Sequence, residues 1–133
     1  MNRISTGIAA FGLLFTLVLG GCSPVRIKCV VLEGELSTIA VVSSSDPRFD
    51  EPGVAGAEIV VRQTGRAGDV IIRKTNERGR ATIPLAGTGA LSRPLSVEAS
   101  AEGYIPARIA QMPTPTPGQG LLILIEPIGA IEP

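Results

Sequence analysis

From residue 54 to residue 126 no window of useful length keeps an apolar residue at every third or fourth place, because glycine or proline interrupts each one. The chain holds 16 Gly and 11 Pro in 133 residues. A helical fold is thereby ruled out for this region. What survives is a series of short segments with a two-residue period, the pattern of strands with one buried face.

The clearest is LSVEASA (Leu95 to Ala101): Leu95, Val97, Ala99 and Ala101 fall on one face, and Ser96, Glu98 and Ser100 on the other. AEIVVRQ (Ala57 to Gln63) sets Ala57, Ile59 and Val61 against Glu58, Val60 and Arg62. DVIIRKT (Asp69 to Thr75) follows a GRAG turn, and RATIPL (Arg80 to Leu85) follows NERG (Asn76 to Gly79), a turn of residues suited to one. Pro84 points to an edge or a strand end. IPARIAQM (Ile105 to Met112) is read as one returning strand after EGY. PTPTPGQG (Pro113 to Gly120) reads as an extended connection with little sheet pairing, and LLILIE (Leu121 to Glu126) as a buried strand. IKCVVLEGEL and STIAVVSSS upstream add one or two strands, so the total is seven to eight. The expected fold class is all-β, a single antiparallel β-sandwich of about seven strands with an aliphatic core. The expected divisions are 1–21 for a signal peptide, 22–37 for an N-terminal tether and first strand, 38–126 for the sandwich and 127–133 for a tail.

The N-terminus differs in kind. Arg3 and the terminal amine precede Ile8 to Leu19, an almost wholly apolar run of about a dozen residues, and small residues follow. That is the layout of a secretory signal, too short to span a bilayer, which takes about 20 residues. LGGC (Leu19 to Cys22) resembles the lipobox of bacterial lipoproteins. The resemblance implies a diacylglyceryl group on the Cys22 thiol, cleavage before Cys22, acylation of the new amine, and anchoring in the bacterial cell envelope. Ser23, in place of Asp, resembles the default for the outer membrane of diderm bacteria. Two or three acyl chains at ~0.8 kcal/mol per buried methylene hold a protein stably. Lipidation leaves Cys29 alone in the mature chain, as a small buried hydrophobe or a partner for an intermolecular disulfide.

Composition excludes much chemistry. His is absent, which removes Ser-His-Asp and Cys-His hydrolysis and most zinc and iron sites. Lys and Arg number 12, as do Asp and Glu, and the charges are scattered, so nothing points to nucleic acid. Trp is absent and Tyr104 is the only tyrosine, too few faces for stacking sugars or bases. No phosphate-binding glycine motif occurs, and no cofactor is expected.

Three pieces in order carry a second resemblance: GAEIVV (Gly56 to Val61), TNERGRATIPL (Thr75 to Leu85) and VEASAEGYIPA (Val97 to Ala107). Over about residues 39 to 126 they resemble the carboxypeptidase regulatory-like domain family, with its prealbumin (transthyretin) type sandwich. The resemblance implies a non-catalytic module. Enzymes of that architecture, hydroxyisourate hydrolase and the intradiol dioxygenases, depend on histidines that this chain lacks. Within the matching pieces Asn76, Gly79, Gly103 and Tyr104 have structural roles. Asn76 is expected to cap its turn, Gly79 to take positive φ, and the Tyr104 hydroxyl to bond a backbone carbonyl at the rim.

The remaining candidates are surface groups. Asp46, Asp50 and Glu51 put three carboxylates within six residues, a possible Ca²⁺ site, with Arg48 among them to neutralise it. Arg62, Arg66, Arg73, Lys74, Arg78 and Arg80 fall along one sheet region, as a charged face or as a patch for an acidic partner. The expected function is that of a membrane-anchored, non-catalytic envelope lipoprotein with a structural or protein-binding sandwich, held by the lipid on Cys22 and facing a protein partner. The alternative is a carbohydrate- or Ca²⁺-binding module.

Overall fold

A computed structural model describes residues 25–63, 70–85 and 93–129. The signal segment, Cys22, Arg66, most of the Gly87 to Pro94 loop and the last four residues lie outside them. The described chain forms nine strands: β1 (Val25–Glu33), β2 (Thr38–Ser43), β3 (Glu58–Gln63), β4 (Val70–Lys74), β5 (Arg80–Leu85), β6 (Leu95–Ser100), β7 (Tyr104–Ile105), β8 (Ala107–Met112) and β9 (Gln119–Pro127). A 3-10 helix (Pro47–Asp50) joins β2 to β3.

The strands build two packed sheets, in the orders β2-β9-β1-β5 and β4-β3-β6-β8, with β7 added against β9. The fold is the all-β sandwich that the alternation implies. The segments with strict alternation place their apolar face inward: Ile59 and Val61 from β3, Ile83 and Leu85 from β5, and Leu95, Val97 and Ala99 from β6 are all buried. They meet Ile27, Cys29 and Val31 of β1 and Leu121, Ile123 and Ile125 of β9 in one aliphatic core. Each such side chain removed from water contributes about 1.5–3 kcal/mol before the entropy of ordering it.

Three features depart from the expectation. The first is the strand count and boundaries. Pro106 splits the segment read as one returning strand: β7 pairs β9 and β8 pairs β6 in the other sheet. A residue without an N–H breaks the ladder, and the chain changes sheets there.

The second is orientation. Most pairs are antiparallel, but β1 and β9 are parallel, with Lys28 opposite Gly120 and Glu33 opposite Ile125. β9 pairs with β1 and β2 along its two edges; one of its faces meets the core through Leu121, Ile123 and Ile125 and the other carries Leu122 under Phe49, so its sequence runs apolar without alternation.

The third is extent. The first strand expected within 22–37 is β1, already in place at Val25, and it is a central strand of its sheet. The sandwich also reaches past Glu126: β9 ends at Pro127, and the Ile128 N–H donates to the Gly103 carbonyl at 2.8 Å. Gln119 and Gly120, read as part of the proline-rich connection, pair with Ser43 and Val42 in the sheet.

Strand direction gives the sandwich two ends. β1 starts at Val25 and finishes eight residues later at Glu33, about 26 Å away at ~3.3 Å per residue. β9 runs the same way, so Pro127 lies at the Glu33 end together with the starts of β2 and β7.

Candidate functional site

The acidic loop is built around an aromatic plug. Asp46 caps the 3-10 helix, accepting from the Arg48 N–H at 2.9 Å, and grips the Arg48 guanidinium at 3.0 Å (Nε) and 2.8 Å (Nη2). These bonds hold the Asp46 carboxyl down at about 2. The helix delivers Phe49 onto the outer face of the first sheet, where it packs with Val30, Leu32 and Leu122 and is 1 % exposed. The ring lies over Gly120: a Cβ there would come within 2.6 Å of Phe49 Cζ and 2.8 Å of the Lys28 carbonyl. The Lys28 ammonium stands 4.9 Å from the ring centroid.

Asp46 therefore spends its oxygens on Arg48. It does not combine with Asp50 and Glu51, and among the described residues no group of three potential metal ligands gathers. The loop's length answers the need to carry Phe49 across the sheet.

Of the basic residues read along one sheet region, Arg62 and Lys74 do not fall together, and Arg66 lies outside the described residues. Register places Lys74 opposite Glu58 and Arg62 opposite Val70, at opposite ends of the β3–β4 pair. On the same outer face Arg108 Nε meets Glu98 Oε2 at 2.6 Å.

The Asn76 turn is locked by its own side chain. Asn76 Oδ1 accepts from the N–H groups of Arg78 at 2.9 Å and Arg80 at 3.1 Å. Gly79 has φ 79°, and a Cβ there would fall 2.5 Å from the Gly53 Cα, so both conformation and crowding require glycine. The strands thus bring loop 52–56 hard against the turn.

The preceding residue, Thr75, is buried. Its hydroxyl donates to the Val54 carbonyl at 2.6 Å and accepts from the Ala57 N–H at 2.9 Å, which fixes that loop.

The loop so fixed lines a cleft of about 570 Å³ at the Glu33 end of the sandwich. Glu33, Gly53, Val54, Glu102 and Tyr104 are among the lining residues, and none of the lining residues is basic. The Tyr104 hydroxyl donates to Glu33 Oε1 at 2.6 Å, a carboxylate where a backbone carbonyl was expected. β1 ends with its glutamate at the rim, within the phenol's reach, and an ionised acceptor makes the stronger bond. That bond holds the Tyr104 pKa above its ordinary value. Gly103, the other half of that turn, ties its carbonyl to Ile128.

Ser37 closes the same end: its hydroxyl donates to the Ile105 carbonyl at 2.7 Å and accepts from the Glu126 N–H at 2.9 Å. Neither Glu33 nor Ser37 carries a sequence signal, since only the strand pairing brings them to their partners. Phe49 did carry one, as a lone aromatic in a polar loop.

Cys29 lies within β1, fully buried and unpaired. Burial pushes its thiol up to about 12, so it is a packing group and a poor nucleophile.

Comparison with protein-family models, with curated proteins and with solved structures finds no match. What the geometry offers is a rigid sandwich with an acidic, tyrosine-bearing cleft at the end away from Val25.

Proposed function

We propose that this chain is a non-catalytic lipoprotein of the bacterial cell envelope, held in the membrane by lipid on Cys22, whose sandwich has a structural or protein-binding role. The observation that carries the reading is the distance from Cys22 to β1. Only Ser23 and Pro24 separate the proposed lipidated residue from Val25, a reach of about 10 Å at ~3.4 Å per residue. A β-sandwich joined this closely to its anchor stands on the bilayer with the Val25 end down and the Glu33 end outward. A module held in this way acts by display, presenting one end to other envelope components.

Supporting this are the LGGC motif after an apolar run of the right length and the resemblance of three segments to the carboxypeptidase regulatory-like family. The cleft offers two glutamates and a phenol with no basic residue in its lining, a surface suited to contact with a cationic partner group. In a diderm host the outer membrane is the destination that Ser23 favours.

Mass spectrometry of the mature N-terminus tests the proposal. The expected product begins at Cys22 and carries the mass of a diacylglyceryl group with an N-acyl chain. An unmodified peptide beginning at Ser23, or an intact Met1, overturns it.

A further inference from the structure

The end of the sandwich away from Val25 gathers three chain segments, each pairing a glutamate with an exposed apolar side chain. After β1 come Glu35 and Leu36; around β7 come Glu102 and Ile105; at the end of β9 come Glu126 and Ile128. Hydrogen bonds tie them into one surface. Ser37 Oγ bonds both the Ile105 carbonyl and the Glu126 N–H, the Gly34 N–H donates to the Ile125 carbonyl, and the Ile128 N–H donates to the Gly103 carbonyl. Leu36 is 72 % exposed, Ile105 41 % and Ile128 64 %, three of the six large apolar side chains that the described chain leaves in water. The acidic cleft opens beside them, with Glu33 and Glu102 in its lining. Residues 33–37, 101–107 and 125–129 contain no Lys or Arg.

We infer that this end is a docking surface for a protein segment that alternates basic and apolar side chains. Charge complementarity selects the occupant. Four carboxylates (Glu33, Glu35, Glu102 and Glu126) with no cation in their own segments attract Lys and Arg and repel anionic lipid headgroups and nucleic acid. The same end of a second copy would meet it with like charge. The apolar side chains supply the area that charge alone does not, and a lysine ammonium fits the cleft between Glu33 and Glu102, where hydrogen bonds to ionised acceptors are the stronger ones.

The inference rests on the protein-binding reading above but not on the anchor: the Cys22 mass measurement can fail while this surface binds, and the reverse.

Tyr104 makes the test direct. It is the only tyrosine in a chain without tryptophan, so intrinsic fluorescence of the full-length protein in detergent reports on this cleft alone. The probe is a synthetic pentapeptide alternating lysine and leucine. Controls replace lysine by glutamate, or leucine by serine.

A saturable change in Tyr104 emission is expected with the lysine–leucine peptide, weakened by added salt and absent with the glutamate peptide. The double variant Glu35→Gln, Glu102→Gln should bind about tenfold more weakly, and Leu36→Ser roughly threefold, each with an unchanged unfolding midpoint. Equal binding of the acidic peptide, no saturable change with the basic one, or full affinity in the double variant would overturn the inference. So would a concentration-dependent change in emission without peptide, which assigns the surface to a second copy of the chain.

Discussion

The two sheets turn opposite kinds of outer face to the surroundings. The β2-β9-β1-β5 sheet carries Val30, Leu32 and Leu122 outward and covers them with Phe49 from the 3-10 helix. The β4-β3-β6-β8 sheet has no such cover among the described residues; it carries Val60, Arg62, Glu98 and Arg108 outward, with Glu98 and Arg108 paired to each other. A sheet can go without alternation only where something pays for its second apolar face, and here a single ring on a loop does so. The first sheet is a three-layer arrangement in miniature, and the second is one half of an ordinary two-layer sandwich.

The contrast breaks most sharply at Phe49. Phe49→Ala is expected to destabilise the protein by about 3–5 kcal/mol, as for a buried core aromatic, although the residue lies in a surface loop. Chemical unfolding measures it, and a loss below about 1 kcal/mol would show that the cover is dispensable.

The next effect is on the cover's own anchor. The Asp46 carboxyl lies at about 2, below its ordinary 3.8, so the Asp46–Arg48 contribution is present above the ordinary value and is lost as pH falls through about 2. Acid unfolding of Asp46→Asn should therefore lack part of the pH dependence that the unaltered chain shows between about 4 and 2, and identical profiles would refute the assignment.

The smallest effect belongs to the open face. Glu98→Gln, which breaks the exposed pair with Arg108, is expected to change stability by less than about 0.5 kcal/mol. A larger loss would mean that this face is covered after all.

The same contrast decides what could be read from the residues alone. β3, β5 and β6 alternate because one face meets water, and their inward residues could be named from the sequence. β1 and β9 are buried on both faces, and runs such as KCVVLE and LLILIE show a strand without showing its neighbours or direction. Hence the parallel pairing and the central place of β1 were not legible. Pro106 was visible in the sequence, but only the third dimension makes it the switch between sheets. The site divides the same way. Asn76 and Gly79 act within their own turn, where local chemistry suffices. Glu33 lies 71 residues from its partner Tyr104, and Ser37 lies 89 from Glu126, so no local pattern connects them.

The place of β9 also sets an order of events. Among the described strands β1 and β2 are made first, yet they do not pair with each other; β9, the last described strand, lies between them, and until it arrives β1 has only β5 as a partner. A chain emerging from its N-terminus therefore cannot close this sheet until β9 has appeared. Under the export proposed above, this sheet closes only once β9 has passed through the membrane.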